Sequence, residues 1–141
     1  MSHHIVDVEE LSYHYPDGTV ALRKVSFRVV HGEAVAVVGA KGAGKSPLLM
    51  HLNGTLPPAS GRVVIGDFPV SPRTVRDVRR TVGMVFANPD DQLFMPSVRD
   101  DVAFGPLNLG LPLEDVEARV QTALEKVGAL HLADRPPYRL S

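Results

Sequence analysis

An α/β fold is expected from three features of the 141-residue sequence. Residues 34–38, "AVAVV", form an apolar run of the kind buried on both faces in the middle of a parallel sheet. Directly after it, "GAKGAGKS" at residues 39–46 fits G-x-x-x-x-G-K-S, a glycine-rich turn that leads from a strand into a helix. Ahead of both, residues 5–15 and 20–30 read as strands on either side of "PDG" at 16–18, which predicts an antiparallel hairpin.

Taken in order, the second hairpin strand alternates Val25, Phe27 and Val29 with Ser26, Arg28 and Val30, a half-buried pattern. His31-Gly32 turns the chain into "AVAVV". A helix is expected from about Gly44 to Leu52, stopped by "NGTLPP". "GRVVIG" at 61–66 reads as a strand, "RTVRDVRR" at 73–80 as a short basic helix, and "TVGMVF" at 81–86 as a second buried strand. From Ser97 the pattern is helical. In "EDVEARVQTALEKVG", Val116, Val120, Leu124 and Val127 recur at helical spacing, acidic residues fill the first turn, Lys126 sits in the last, and Gly128 marks the stop. "RPPY" at 135–138 is a proline-rich connector, and the sequence carries no internal repeat.

Composition narrows the function. Apolar content of 44%, charged content of 22% and a net charge of −1 describe a soluble globular protein of about one domain. That balance gives no general attraction for nucleic acid or an anionic membrane. With no cysteine there is neither a disulfide framework nor a thiolate metal site, in keeping with a reducing compartment. "MSHHIVDVEE" lacks the basic start and apolar run of a signal peptide, and His3-His4 is too short for a tag. No segment reaches the roughly 20 apolar residues that span a bilayer, so any membrane role is expected to pass through a partner. Arg73, Arg76, Arg79 and Arg80 read as a solvated helix face, Asp90 and Asp91 as turn formers, and the six histidines lack metal-ligand spacing.

The chemistry lies in the glycine-rich turn. Binding a phosphate needs many donors converging on a compact anion. Gly39, Gly42 and Gly44 open backbone conformations that aim N–H groups inward, with Ala43 small enough to stay clear. The helix that follows favours negative charge at its N-terminus. Lys45 would reach the β- and γ-phosphates, and Ser46 would offer a hydroxyl to Mg²⁺. Pro47 follows, tolerated in a first helical turn but lacking a donor that a phosphate would use. The lost hydrogen bond to a charged group, about 1.5–3 kcal/mol, predicts a weakened site.

Four further stretches extend this picture: "LSYHYPDGTVALRKVSF", "VGMVFANPDDQLF", "PSVRDDVAFGPLNLGLPLEDV" and "LEKVGALHLADRPPYRLS". With the glycine-rich loop, they resemble the nucleotide-binding subunits of ABC transporters, most closely the energy-coupling-factor and cobalt-transport branch, from about Val6 to Ser141. The resemblance implies a P-loop NTPase-type α/β core with an antiparallel β hairpin subdomain and the beginning of an α-helical subdomain, an incomplete ABC ATPase fold. Residues 1–96 would be the nucleotide-binding core and 97–141 the start of the helical part. Tyr15 matches the aromatic residue that stacks on adenine, and Leu140-Ser141 the start of the Leu-Ser-Gly-Gly-Gln signature. The cofactors implied are ATP and Mg²⁺. The partners implied are an integral membrane subunit and a second ATP-binding subunit, at the cytoplasmic face of the membrane, with no nucleic acid.

Departures from the family pattern bear on activity. Ala87 stands where the family has the Gln that approaches Mg²⁺ and the attacking water. The later Gln92 is retained, but it is not that residue. Pro47 stands where Thr is usual, and Ala40 and Lys41 replace the frequent Pro and Asn. The acidic strand end and the switch histidine have no counterpart in these residues, so no catalytic residue is assigned. The resemblance therefore implies the ATP-binding subunit of an importer for a metal ion or vitamin, shortened and hydrolysing poorly. Two alternatives stand beside it: a nucleotide-binding remnant that docks without turnover, and a soluble P-loop kinase, for which "NPDDQLF" and "YPDG" would have no role.

Overall fold

In the computed structural model, which describes residues 4–140, the chain falls into two compact units, the first ending at Met84 and the second beginning at Val85. His3 and Ser141 lie outside the described residues.

The first unit is built on the hairpin. Strands β1 (His4–His14) and β2 (Val20–Val30) pair antiparallel, with Val8 opposite Phe27 and Leu11 opposite Val25. The Pro16-Asp17-Gly18 turn closes as composition predicts. The Gly18 N–H donates to the Tyr15 carbonyl at 2.9 Å, Gly18 takes a left-handed φ of 86°, and Asp17 accepts from the Thr19 N–H at 2.8 Å. Farther along the ladder, Glu10 and Lys24 both sit at φ 47°, unusual for residues with side chains. Their N–H groups leave the ladder and donate to the hydroxyls of Ser26 (2.8 Å) and Ser12 (2.9 Å). The ladder shifts register at this point, and hydroxyls take the place of lost carbonyls.

β3 (Ser60–Ile65) adds to the other side of β1, and the two-residue β4 (Phe68–Pro69) adds to β3, giving the order β2-β1-β3-β4. Every pairing is antiparallel. Helix α1 (Lys45–Leu52) ends at Asn53, with Gly54 beyond it at φ 70° and Thr55 N–H returning to the Met50 carbonyl. Helix α2 (Val75–Thr81) buries Val78 and leaves Arg76, Arg79 and Arg80 exposed, as a solvated helix face would, while Arg73 is exposed in the turn before the helix. One core joins sheet and helices: Val8, Leu11, Leu22, Val63 and Ile65 from the strands, Leu48 from α1, and Val70 and Val78 beyond.

Two expected strands do not form. Residues 34–38 and 82–86 have no regular secondary structure, and Val35, Val38 and Val85 are 53%, 87% and 84% exposed. An apolar run becomes a doubly buried strand only between strand neighbours, which supply its hydrogen bonds and cover. Among the described residues neither segment has a ladder partner, and α1 packs on the antiparallel sheet instead.

Among the described residues of this unit, His51 is the one buried polar side chain, at 0% exposure. Its Nδ1 lies 2.6 Å from the Pro47 carbonyl, which can only accept, so Nδ1 carries the proton. Nε2 has no hydrogen-bond partner. Burial lowers the His51 pKa below the ordinary 6.5, and the bond to Pro47 opposes it only in part. The folded state thus resists a proton that the unfolded state accepts. The resulting stability is complete above pH 6.5 and is lost as pH falls toward and through the lower folded value. Urea unfolding between pH 7.5 and 5.5 is expected to show stability falling with a slope of at most about 1.4 kcal/mol per pH unit from this group. The slope should shrink in His51→Phe.

The second unit is helical. Ser97 caps α3 (Val98–Asn108), its Oγ accepting from the Asp100 N–H at 3.2 Å and donating to the Asp100 carboxylate at 2.6 Å. Helix α4 (Leu113–Lys126) carries Glu114 and Asp115 in its first turn and Lys126 in its last. Val116, Val120 and Leu124 are buried against Val98 and Ala133, the stripe the spacing predicts. Val127 departs from it at 75% exposure. The helix ends one residue earlier and Gly128, at φ 67°, turns the chain away. Arg99 pairs with Glu117 and Asp134, tying α3 to α4 and to the segment beyond it. Asp90 and Asp91 lie in a 3₁₀ turn, Pro89–Gln92, capped by the Asn88 side chain, in line with their reading as turn formers. "RPPY" ends in a 3₁₀ turn at Pro137–Arg139.

Candidate functional site

The glycine-rich segment runs from Gly39 into α1. Gly42 and Gly44 hold φ 83° and 84°, conformations that residues with side chains rarely adopt. Between them the chain turns tightly, with the Ala43 N–H donating to the Ala40 carbonyl at 3.2 Å. Gly44 is the N-cap of α1, and its carbonyl accepts the first helical bond, from Leu48, at 3.0 Å. It also lies flat against the hairpin: a Cβ there would stand 2.3 Å from the Ala21 carbonyl oxygen. At Gly42 a Cβ would meet open space.

No side chain caps α1, so the N–H groups of its first turn point out of the helix without that satisfaction. Lys45 folds back over the loop, and its ammonium donates to the carbonyls of Gly39 and Ala40, both at 2.7 Å. Two of its three donors are thereby used. Ser46 is exposed beside it. Pro47 is the third helical residue and is buried, packed as a helix starter. Uncapped donors, one ammonium and an exposed hydroxyl together suit a polyphosphate carrying a divalent cation.

Tyr15 sits at the hairpin end, 41% exposed, with its ring edge-to-face to Tyr13 at 5.5 Å. Tyr13 in turn meets His51 edge-to-face at 5.0 Å. The aromatic and the phosphate loop, far apart in sequence, are thus joined through α1. Tyr13 and His51 went unnoticed in the sequence. Their signals were there to read: Tyr13 and Tyr15 share a strand face at period two, and Pro47 and His51 share a helix face at i, i+4.

In the second unit, Ala87 lies in a loop closed by Gln92, whose Oε1 accepts from the Phe86 N–H at 2.9 Å. Gln92 therefore serves the backbone of this loop. Ala87 is exposed and offers neither donor nor acceptor.

The family model described as ABC transporter matches residues 22–141 of the chain. The chain belongs to the ABC transporter family. An energy-coupling factor transporter ATP-binding protein of Methanothermobacter thermautotrophicus is 54% identical over 139 residues, which cover 97% of this chain and 45% of that protein. A Geobacter sulfurreducens protein named for ABC transporter ATP binding is 68% identical over 141 residues, covering 100% of this chain and 57% of its own length. Among solved structures, CbiO1 of Clostridium perfringens, part of the ABC transporter complex CbiONQ, superposes with a TM-score of 0.83 at 42% identity. That match covers 99% of this chain and 56% of CbiO1. The chain therefore spans about half the length of the relatives it matches. Its α/β architecture with an antiparallel sheet is that of the N-terminal part of an ABC ATPase. Among the described residues no helix is long and apolar enough to cross a membrane.

Proposed function

We propose that this chain forms the nucleotide-gripping part of an ATP-binding subunit of an energy-coupling-factor-type importer, working with a membrane partner to take up a metal ion or a vitamin. One observation carries the reading. Lys45 is held at 2.7 Å from two loop carbonyls at the mouth of a helix that no side chain caps. That is a preformed anion seat. A bound Mg-ATP would supply the phosphoryl group whose transfer to water drives such a cycle. The chain's own part is to bind and orient. Gly42, Gly44 and Ser46 present backbone donors, Ala43 gives its own N–H to the Ala40 carbonyl and so holds the turn, Lys45 supplies a point charge, and Ser46 a hydroxyl for Mg²⁺, which keeps most of its ligands from phosphate and water. Gly39 sets the start of the loop and Tyr15 offers a face to adenine.

Two features point to weak turnover. Pro47 removes a first-turn donor, and Ala87 provides nothing to orient water. Both favour a second reading, in which the chain binds nucleotide and docks on a partner without hydrolysis. In the second unit, Leu93, Phe94, Met95 and Pro96 line an open groove with Tyr138 and Leu140, a surface suited to an apolar helix of a membrane subunit. A second ATP-binding subunit and a place at the cytoplasmic face of the membrane complete the proposal. The family membership leaves the soluble-kinase alternative without support.

Phosphate release by the purified 141-residue chain, measured beside nucleotide binding, separates these readings. Binding with turnover below about one-hundredth of the roughly 1–100 s⁻¹ typical of kinases supports the weak-turnover account. Turnover within that typical range would overturn it.

A further inference from the structure

Resting on the nucleotide reading above, we infer that His51 is a positioning residue for the base. It is anchored on the carbonyl of Pro47, and its ring sets Tyr13, which sets Tyr15 in the pose that receives an adenine.

The chain of contacts is continuous and lies within one unit. His51 is wholly buried, its Nδ1–H donating to the Pro47 carbonyl at 2.6 Å, so its ring cannot turn without losing that bond. A buried polar group held by a single hydrogen bond has one favoured orientation. The Tyr13 ring meets it at 5.0 Å and 73°, and the Tyr15 ring meets Tyr13 at 5.5 Å and 75°. Both are edge-to-face arrangements within the range where aromatic quadrupoles favour a fixed geometry. Tyr15, the last ring, is also the most open of the three, leaving a face for a ligand.

The same residue therefore reads two parts of one ligand site. Pro47 belongs to the helix turn that faces phosphates, and Tyr15 to the hairpin end that would face the base. His51 fixes the spacing between them. A leucine in its place would fill the core, yet it would supply neither the bond to Pro47 nor a ring to meet Tyr13. The unpartnered Nε2 supports a role beyond packing, because an apolar residue would leave no such buried acceptor.

The test uses the ratio of affinities for ATP and for inorganic tripolyphosphate, both with Mg²⁺, on the full 141-residue chain. The ratio isolates the base, whereas a general loss of fold weakens both ligands alike. His51→Asn keeps a donor near the Pro47 carbonyl but removes the ring, and His51→Phe keeps a ring. Base–aromatic stacking is worth enough that the ratio should fall about fivefold or more in His51→Asn. It should fall by a smaller amount in His51→Phe, which keeps a ring against Tyr13 but loses the bond that anchors that ring to Pro47. Tyr13→Leu, at a half-buried site, should show the same fall as His51→Asn, and it keeps the test open if His51→Asn does not fold. An unchanged ratio in either His51→Asn or Tyr13→Leu overturns the inference. If the parent chain binds neither ligand, it is the nucleotide reading itself that fails.

Discussion

Replacing Pro47 by threonine is expected to tighten Mg-ATP binding by about ten- to hundredfold, the value of one hydrogen bond to a charged group. Pro47 is the third residue of α1, where an N–H has no partner inside the helix. Threonine restores that donor and aims it along the helix axis toward the seat in front of Lys45. The Pro47 carbonyl, which accepts from His51, is a backbone group and survives the change. Some stability is lost, since proline restricts the unfolded chain by about 0.4–1 kcal/mol. Binding and stability therefore move in opposite directions, which separates this outcome from general stiffening of the fold. Fluorescent-nucleotide titration of both chains checks it. Equal affinities would mean that the missing donor does not face the phosphates.

Gly44→Ala is expected to unfold much of the first unit. Two costs add at this residue. The left-handed backbone at φ 84° costs a side-chain residue about 1–2 kcal/mol. A Cβ 2.3 Å from the Ala21 carbonyl oxygen adds overpacking of about 1–3 kcal/mol, and because that neighbour is backbone it has little room to give. Together they reach about 2–5 kcal/mol, a large part of the stability of a small domain. Gly42→Ala is the control: its φ is 83°, but its Cβ enters open space, so only the conformational cost of about 1–2 kcal/mol applies. Urea unfolding should rank the parent first, Gly42→Ala next and Gly44→Ala last. Equal losses would show that the contact with β2 carries no weight.

Local signals made much of the architecture legible. Alternation and the Pro-Asp-Gly turn placed β1 and β2 to within a residue, because a hairpin's partner strand is its sequence neighbour. The stripe Val116, Val120 and Leu124 defined α4 for the same reason, as a helix makes its own hydrogen bonds. "AVAVV" and "TVGMVF" misled because an apolar run states a need for cover without saying what provides it. Val127 misled at a boundary, where helical spacing continues past the last helical residue. The glycine-rich turn into α1 follows from residue types alone, and Gly42 and Gly44 take the left-handed backbone it requires. The places of His51 and Tyr13 do not, since each is ordinary in sequence and gains its meaning only where a helix face meets a strand face.

The central claim is that the loop closed by Lys45 seats a triphosphate, and calorimetric titration of Mg-ATP into the parent chain and into Lys45→Ala tests it most directly. Losing the one ammonium in the seat removes charge-assisted hydrogen bonds worth about 1.5–3 kcal/mol each, so saturable binding to the parent should weaken at least about tenfold in the variant. The exposed loop bonds of Lys45 contribute little to the core, and the two chains should melt alike without nucleotide. A folded parent chain that gives no binding heat, or a Lys45→Ala chain that binds as tightly as the parent, would contradict the account.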